Sequence, residues 1–284
     1  MNIYNSTNGT FYYSTVSKLT IIYTYTPIHS GQTKTNVAGI VNGQTGGELT
    51  SIGKQQANQL GMRLKDIKFD NVYCSDLHRT KQTLDRILFH QETSSYTLSY
   101  EKLLREINVN SVEGLPWKIE DDMRAKGEIF RFTKTGDNGD ETWVDVWYRA
   151  SLILTKVIKE FVNSEFDSEI TEDNYNKLND IPNNELLVKK QFEENFKKGE
   201  YTVKDGIKQG QKVRRVLMVT HGGVISEMIN VILFWMRKTM VIELQPNNTC
   251  LFKVSVFNKM DDVVNKERVF FSIDVINDCS HVTE

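Results

Sequence analysis

Residues Val216-Leu217-Met218-Val219 are apolar without a break, and they run through Thr220-His221-Gly222-Gly223 directly into a second apolar stretch, Val224–Met236. A strand that is apolar on both sides must be covered on both faces, and helices returned by parallel crossovers are the usual cover. Glu227 and Asn230 interrupt the second stretch and Arg237-Lys238 close it, so it falls far short of a membrane span and reads as a buried helix.

The same alternation recurs along the chain. Leu19–Tyr25 (LTIIYTY) is β-branched and aromatic, a strand, and a loop of small and turn residues follows over Pro27–Gly47. Thr50 is a candidate N-cap for a helix through Leu60, Leu64 and Ile67. Phe69–Cys74 is a short strand, Ser75-Asp76 open a helix through Thr83, Ile87 and Leu88, and Thr97–Tyr100 is a weak strand. Val144, Trp147, Ile153, Leu154, Val157, Ile158 and Phe161 keep a helical period over about Glu141–Phe161. Thr249–Phe257 and Val269–Val275 are late strands. Together these predict an α/β protein, a three-layer α/β/α sandwich around a mostly parallel central sheet.

Two stretches stand apart. Residues 1–17 form a polar leader without the basic and apolar regions of a signal peptide. Residues 163–212 are rich in Asn, Glu, Lys and Asp, and read as a polar insertion, partly helical near Leu186–Phe196, within a single domain spanning 18–284. Lys and Arg number 35 against 37 Asp and Glu, which argues against a nucleic-acid partner. Cys74, Cys250 and Cys279 are too scattered for a disulfide framework or zinc site, and His78, His90 and His281 have no ligand spacing. The expectation is a cytoplasmic protein with no metal, cofactor or membrane partner, its oligomeric state open.

In α/β sheets, ligands bind beyond the carboxyl ends of strands. Three strand-to-helix handovers carry chemistry: His29-Ser30-Gly31-Gln32-Thr33 with Asn36, Ser75-Asp76-Leu77-His78-Arg79-Thr80, and Thr220-His221-Gly222-Gly223. Each puts backbone N–H groups at a turn or helix start beside a side chain able to meet an anion. Arg79 can offer a bidentate fork, and glycine after His221 lets the backbone approach a ligand.

Taken in order, these segments resemble the histidine phosphatase superfamily, in the branch that holds phosphoglycerate mutases and, nearest in likeness, TIGAR-type fructose-2,6-bisphosphatases. Ser75–Thr83 is similar to the family's Ser-Asp-Leu-x-Arg-Thr-x-Gln-Thr segment, and Leu49–Ala57 to its Leu-(Ser/Thr)-x-x-Gly-x-x-Gln-Ala helix start. Leu104-Arg105-Glu106 with Val112-Glu113-Gly114 resembles its Leu-Arg-Glu…Glu-Gly loop, Gly139-Asp140-Glu141-Thr142 its Gly-Glu-Thr, and Thr220–Gly223 its second histidine motif. The resemblance implies a phosphoglycerate mutase-like fold and metal-free phosphoryl transfer through phosphohistidine, acting on a small phosphorylated metabolite such as fructose 2,6-bisphosphate and so restraining glycolysis. It further implies Glu106 as acid and base, Arg79 and His221 as phosphate clamps, and Asn36, Gly31 and Gly222 as phosphate contacts.

The first motif departs from the pattern. Where the family reads Arg-His-Gly-(Glu/Gln)-Thr, this chain has His29-Ser30-Gly31-Gln32-Thr33, with Ser30 at the nucleophile position and His29 at the arginine position. Tyr23–Ile28 also look like extra residues ahead of the motif. Three outcomes are open: an impaired serine nucleophile, a loop slipped through a bulge or turn so that His29 reaches phosphorus, or a relative that binds phosphoesters without turnover. A mutase reaction is compatible with the same motifs. Loss of the arginine removes a charged hydrogen bond that would contribute about 1–3 kcal/mol.

Overall fold

The computed structural model describes residues 19–91, 95–126, 139–161, 213–236, 244–261 and 266–283. The leader 1–17 and the polar insertion 163–212, with its expected helix, lie outside the described residues. Six strands form one sheet, in the order β3-β2-β4-β1-β5-β6. They are β1 (Leu19–His29), β2 (Asn71–Ser75), β3 (Thr97–Glu101), β4 (Val213–Thr220), β5 (Leu251–Asp261) and β6 (Lys266–Asp278). The first four are mutually parallel, and β5 and β6 close one side as an antiparallel hairpin.

Alternation along β4 shows why both faces needed cover. Val216 and Met218 join α5 (Trp143–Phe161) and α6 (Gly222–Trp235) in one buried cluster that includes Trp147, Ile153, Val157 and Ile229. Leu217 and Val219 point the other way, into a cluster with Leu60 and Leu64 of α2 (Ser51–Leu64) and Leu84 and Ile87 of α3 (His78–Leu88). The expected three layers are present. Two smaller helices, α1 (Lys34–Val37) and α4 (Trp117–Ala125), lie in the connections after β1 and β3.

Local chemistry sets the boundaries. Thr50 caps α2 as expected, its Oγ1 accepting the Gly53 N–H at 2.9 Å. Ser75-Asp76 do not open α3: Ser75 still belongs to β2 and the helix begins at His78, with Leu77 as its N-cap. The loop expected from Pro27 begins later too, because β1 continues to His29 in unbroken register with β4, from Ile22 opposite Val213 to His29 opposite Thr220. The supposed extra segment Tyr23–Ile28 is therefore ordinary strand, with no bulge against β4. On the β5 side the ladder steps from Tyr25–Val254 to Ile28–Leu251, across Pro27, which has no N–H to contribute.

Candidate active site

The parallel strands bring their carboxyl ends to one edge, and the three handovers meet there. His221 follows β4 and is 1% exposed. Its Nδ1 accepts the Arg79 Nε–H at 3.1 Å, so the ring proton sits on Nε2, which lies 2.8 Å from Ser75 Oγ at the end of β2. Burial first, then the charge of Arg79, holds His221 well below the ordinary histidine range.

Arg79 stands in the first turn of α3 and is 4% exposed. Its terminal nitrogens donate to two backbone carbonyls of one loop, Nη2 to Gly43 at 2.7 Å and Nη1 to Thr45 at 3.3 Å. Glu113 shapes that loop. Its carboxylate accepts the N–H groups of Gly43, Gln44 and Thr45 at 3.0–3.3 Å. Gly47 must be glycine here, since φ is +85° and a Cβ would stand 2.9 Å from the Arg79 side chain.

Glu106 reaches the same edge from the connection after β3. One carboxylate oxygen accepts the Ile107 N–H at 2.9 Å, and the other accepts the Gly223 N–H at 3.1 Å, next to His221. Arg149 of α5, 8% exposed, fixes this connection. It donates to the carbonyls of Leu103 and Arg105, and its fork meets Glu141 at 2.9 and 3.0 Å. Arg105 turns outward to a bidentate pair with Asp76, both contacts 2.6 Å.

His29 ends β1. Ile28 belongs to the α2–α3 cluster, so alternation sends His29 toward α6, where its Nε2 would be 3.3 Å from a Cβ on Gly222. Asn248 Nδ2 donates to His29 Nδ1 at 3.2 Å and to the Ser30 carbonyl at 3.1 Å, leaving the ring proton on Nε2. Burial, then the charge of Arg79, lowers His29 to about 4, so it is neutral at physiological pH. No slippage of the loop was needed to bring it here.

Known proteins resemble this chain in sequence and in fold. The family model for the histidine phosphatase superfamily (branch 1) matches residues 29–166. A 2,3-bisphosphoglycerate-dependent phosphoglycerate mutase of Allorhizobium ampelinum is 32% identical over 145 residues, 46% of this chain and 67% of that protein. The chain belongs to the histidine phosphatase superfamily. Bovine (Bos taurus) fructose-2,6-bisphosphatase TIGAR is 38% identical over 96 residues, covering 33% of this chain and 36% of the bovine protein. A broad-specificity phosphatase of Saccharomyces cerevisiae is 32% identical over 116 residues, 40% of this chain and 50% of the yeast protein. The matches thus span a third to a half of the length of those two relatives. Among solved structures, a phosphoglycerate mutase from Bacillus anthracis aligns with a TM-score of 0.60 at 22% identity, over 92% of this chain and 96% of that one, a likeness of fold.

Within this superfamily member, Arg79, His221, Glu106, His29 and Gly222 share the edge. Ser30 is 2% exposed and lies beside them in the chain, its N–H bonded to the Thr220 carbonyl at 3.2 Å. Asn36 has a local task, its Oδ1 accepting from Thr33 N–H and Oγ1 in the cap of α1. Gly31 differs from the expected phosphate contact. Its N–H is committed to Thr83 Oγ1 at 3.0 Å, and a Cβ there would stand 2.6 Å from the Gly53 carbonyl oxygen, so the motif packs on α2 only as glycine. Ser75, Glu113, Arg149 and Asn248 act in the site without having been singled out for it. Ser75 and Glu113 stood inside quoted motifs, whereas Arg149 and Asn248 carried no signal of their own.

Proposed function

We propose that the chain hydrolyses phosphate monoesters of small sugars, foremost fructose 2,6-bisphosphate, and so restrains glycolysis. The observation that carries this reading is the meeting of Arg79, His221, Glu106 and His29 at one strand edge. Three of the five Arg79 N–H groups are engaged by the protein, which leaves one on each terminal nitrogen for two oxygens of a phosphate. The neutral His29 is the phosphoryl acceptor. With the ring proton moved from Nε2 to Nδ1, the Nε2 lone pair attacks phosphorus as Glu106 gives its proton to the departing sugar oxygen; Glu106 then takes a proton from water, which splits the phosphohistidine and releases phosphate. The names of the bovine and yeast relatives support the phosphatase outcome, that of the Allorhizobium ampelinum relative a mutase outcome, and phosphoglycerate assays separate the two.

One observation favours a second reading, binding without turnover. With Asn248 donating to Nδ1, His29 Nε2 carries a proton and is a donor to phosphate, the task of the arginine it replaces. Attack by Nε2 then requires the proton to move to Nδ1. Acid- and alkali-quenched reactions with radiolabelled fructose 2,6-bisphosphate and inorganic phosphate release separate these readings. An acid-labile, alkali-stable phosphoenzyme, lost in His29→Ala and kept in Ser30→Ala, supports the first. Protection of the fold by substrate, with no phosphate released at any pH, supports the second.

A further inference from the structure

Cys250 immediately precedes β5 and Cys279 immediately follows β6. The last cross-strand pair of the hairpin is Leu251 opposite Asp278, so one step further sets Cys250 opposite Cys279. Directly opposed antiparallel residues have Cα atoms about 4.5–5.5 Å apart. That lies inside the window of about 4.4–6.8 Å that a disulfide requires. The two side chains share one cluster, Cys250 buried within it and Cys279 packed against it.

The two thiols are unlike. Cys279 is part-exposed, and the hydrogen bonds from Cys250 and Asn247 bring it down to about 7, so a large fraction is thiolate at neutral pH. Cys250 is buried, and burial pushes its thiol far up. Cys74, buried in β2 on the other side of the sheet and pushed up to about 12, is inert by the same reasoning.

We propose that Cys250 and Cys279 are a redox-modification site at which hydroperoxides produce a reversible intramolecular disulfide. The Cys279 thiolate attacks the terminal peroxide oxygen and breaks the O–O bond, gaining an S–OH group and releasing hydroxide from hydrogen peroxide or the alkoxide from an organic hydroperoxide. The Cys250 sulfur then displaces that hydroxyl, which leaves as water with the Cys250 proton. Two thiols have been oxidised by two electrons and one peroxide reduced. The bridge lands on the segment that seats His29. The Cys250 carbonyl accepts the His29 N–H at 3.4 Å, and Asn248, two residues earlier, holds the imidazole. Formation of the bridge does not depend on whether the site turns over.

The full-length reduced protein, desalted and given a few equivalents of hydrogen peroxide, tests this by intact mass, thiol titration in denaturant and non-reducing peptide mapping. The expected result is a loss of two hydrogens in mass and a fall from three titratable thiols to one. One linked peptide pair should carry Cys250 and Cys279, and dithiothreitol should restore all thiols. Cys74→Ser keeps the bridge; Cys279→Ser, altered at the part-exposed position, and Cys250→Ser each abolish it. Retention of three thiols, accumulation of sulfinic acid on Cys279, or a bridge between two chains overturns the proposal.

Discussion

His29 and His221 are held neutral by a shared cause, burial beside the Arg79 guanidinium. The unfolded chain takes up a proton on each near pH 6.5, whereas folded His29 resists until about 4. Stability is therefore complete above about 6.5 and falls as pH drops toward 4, by on the order of 2 kcal/mol at pH 5 from His29 alone. Urea titrations at pH 5 and 7 should show a smaller difference for His29→Ala than for the natural chain, and His221 supplies part of what remains. Ser75 makes a separate contribution. Replacing it with Ala strands the buried His221 Nε2–H, and a loss of about 1–3 kcal/mol in urea unfolding is expected, together with reduced anion affinity.

At the level of elements, Arg79 is set from a distance. Glu113 orders the 43–45 loop, the loop's carbonyls orient Arg79, and Arg79 fixes the His221 tautomer. Glu113→Ala should raise the Kd for inorganic phosphate or vanadate at least tenfold with a smaller effect on stability, measured by calorimetry and urea unfolding respectively. Gly223→Ala should be more severe, since a Cβ there would meet Glu106 Oε1 at 2.5 Å and the Trp143 ring at 2.7 Å. Loss of any phosphatase activity in a variant that still folds is the expected readout. The strands, the major helices and the three handovers were legible in the sequence because each is a local pattern: an apolar period, a cap, a glycine after a strand. The Glu113–loop–Arg79 relay was not, because its partners are 34 to 70 residues apart and obey no period. Pro27 suggested a loop for an equally plain reason. A proline at an interrupted step of one ladder looks, in one dimension, like a strand end.

Taken whole, the molecule is a sheet whose carboxyl edge collects positive and donor groups from β1, β2 and β4 and an acid from the segment after β3. Such an edge should register an anion as stability. Vanadate at about a hundred times its Kd should add roughly 2.7 kcal/mol. In differential scanning fluorimetry, that gain should raise Tm in the natural chain and vanish in Arg79→Ala. The placing of β1 has one more consequence. Its two neighbours in the sheet, β4 and β5, begin at Val213 and Leu251, almost two hundred residues and more beyond its own start at Leu19. During synthesis the strand bearing His29 has nothing to pair with until most of the polypeptide has left the ribosome. The site thus cannot close until β4 and Asn248 have been made, and a product that stops short of them lacks the contacts that seat His29.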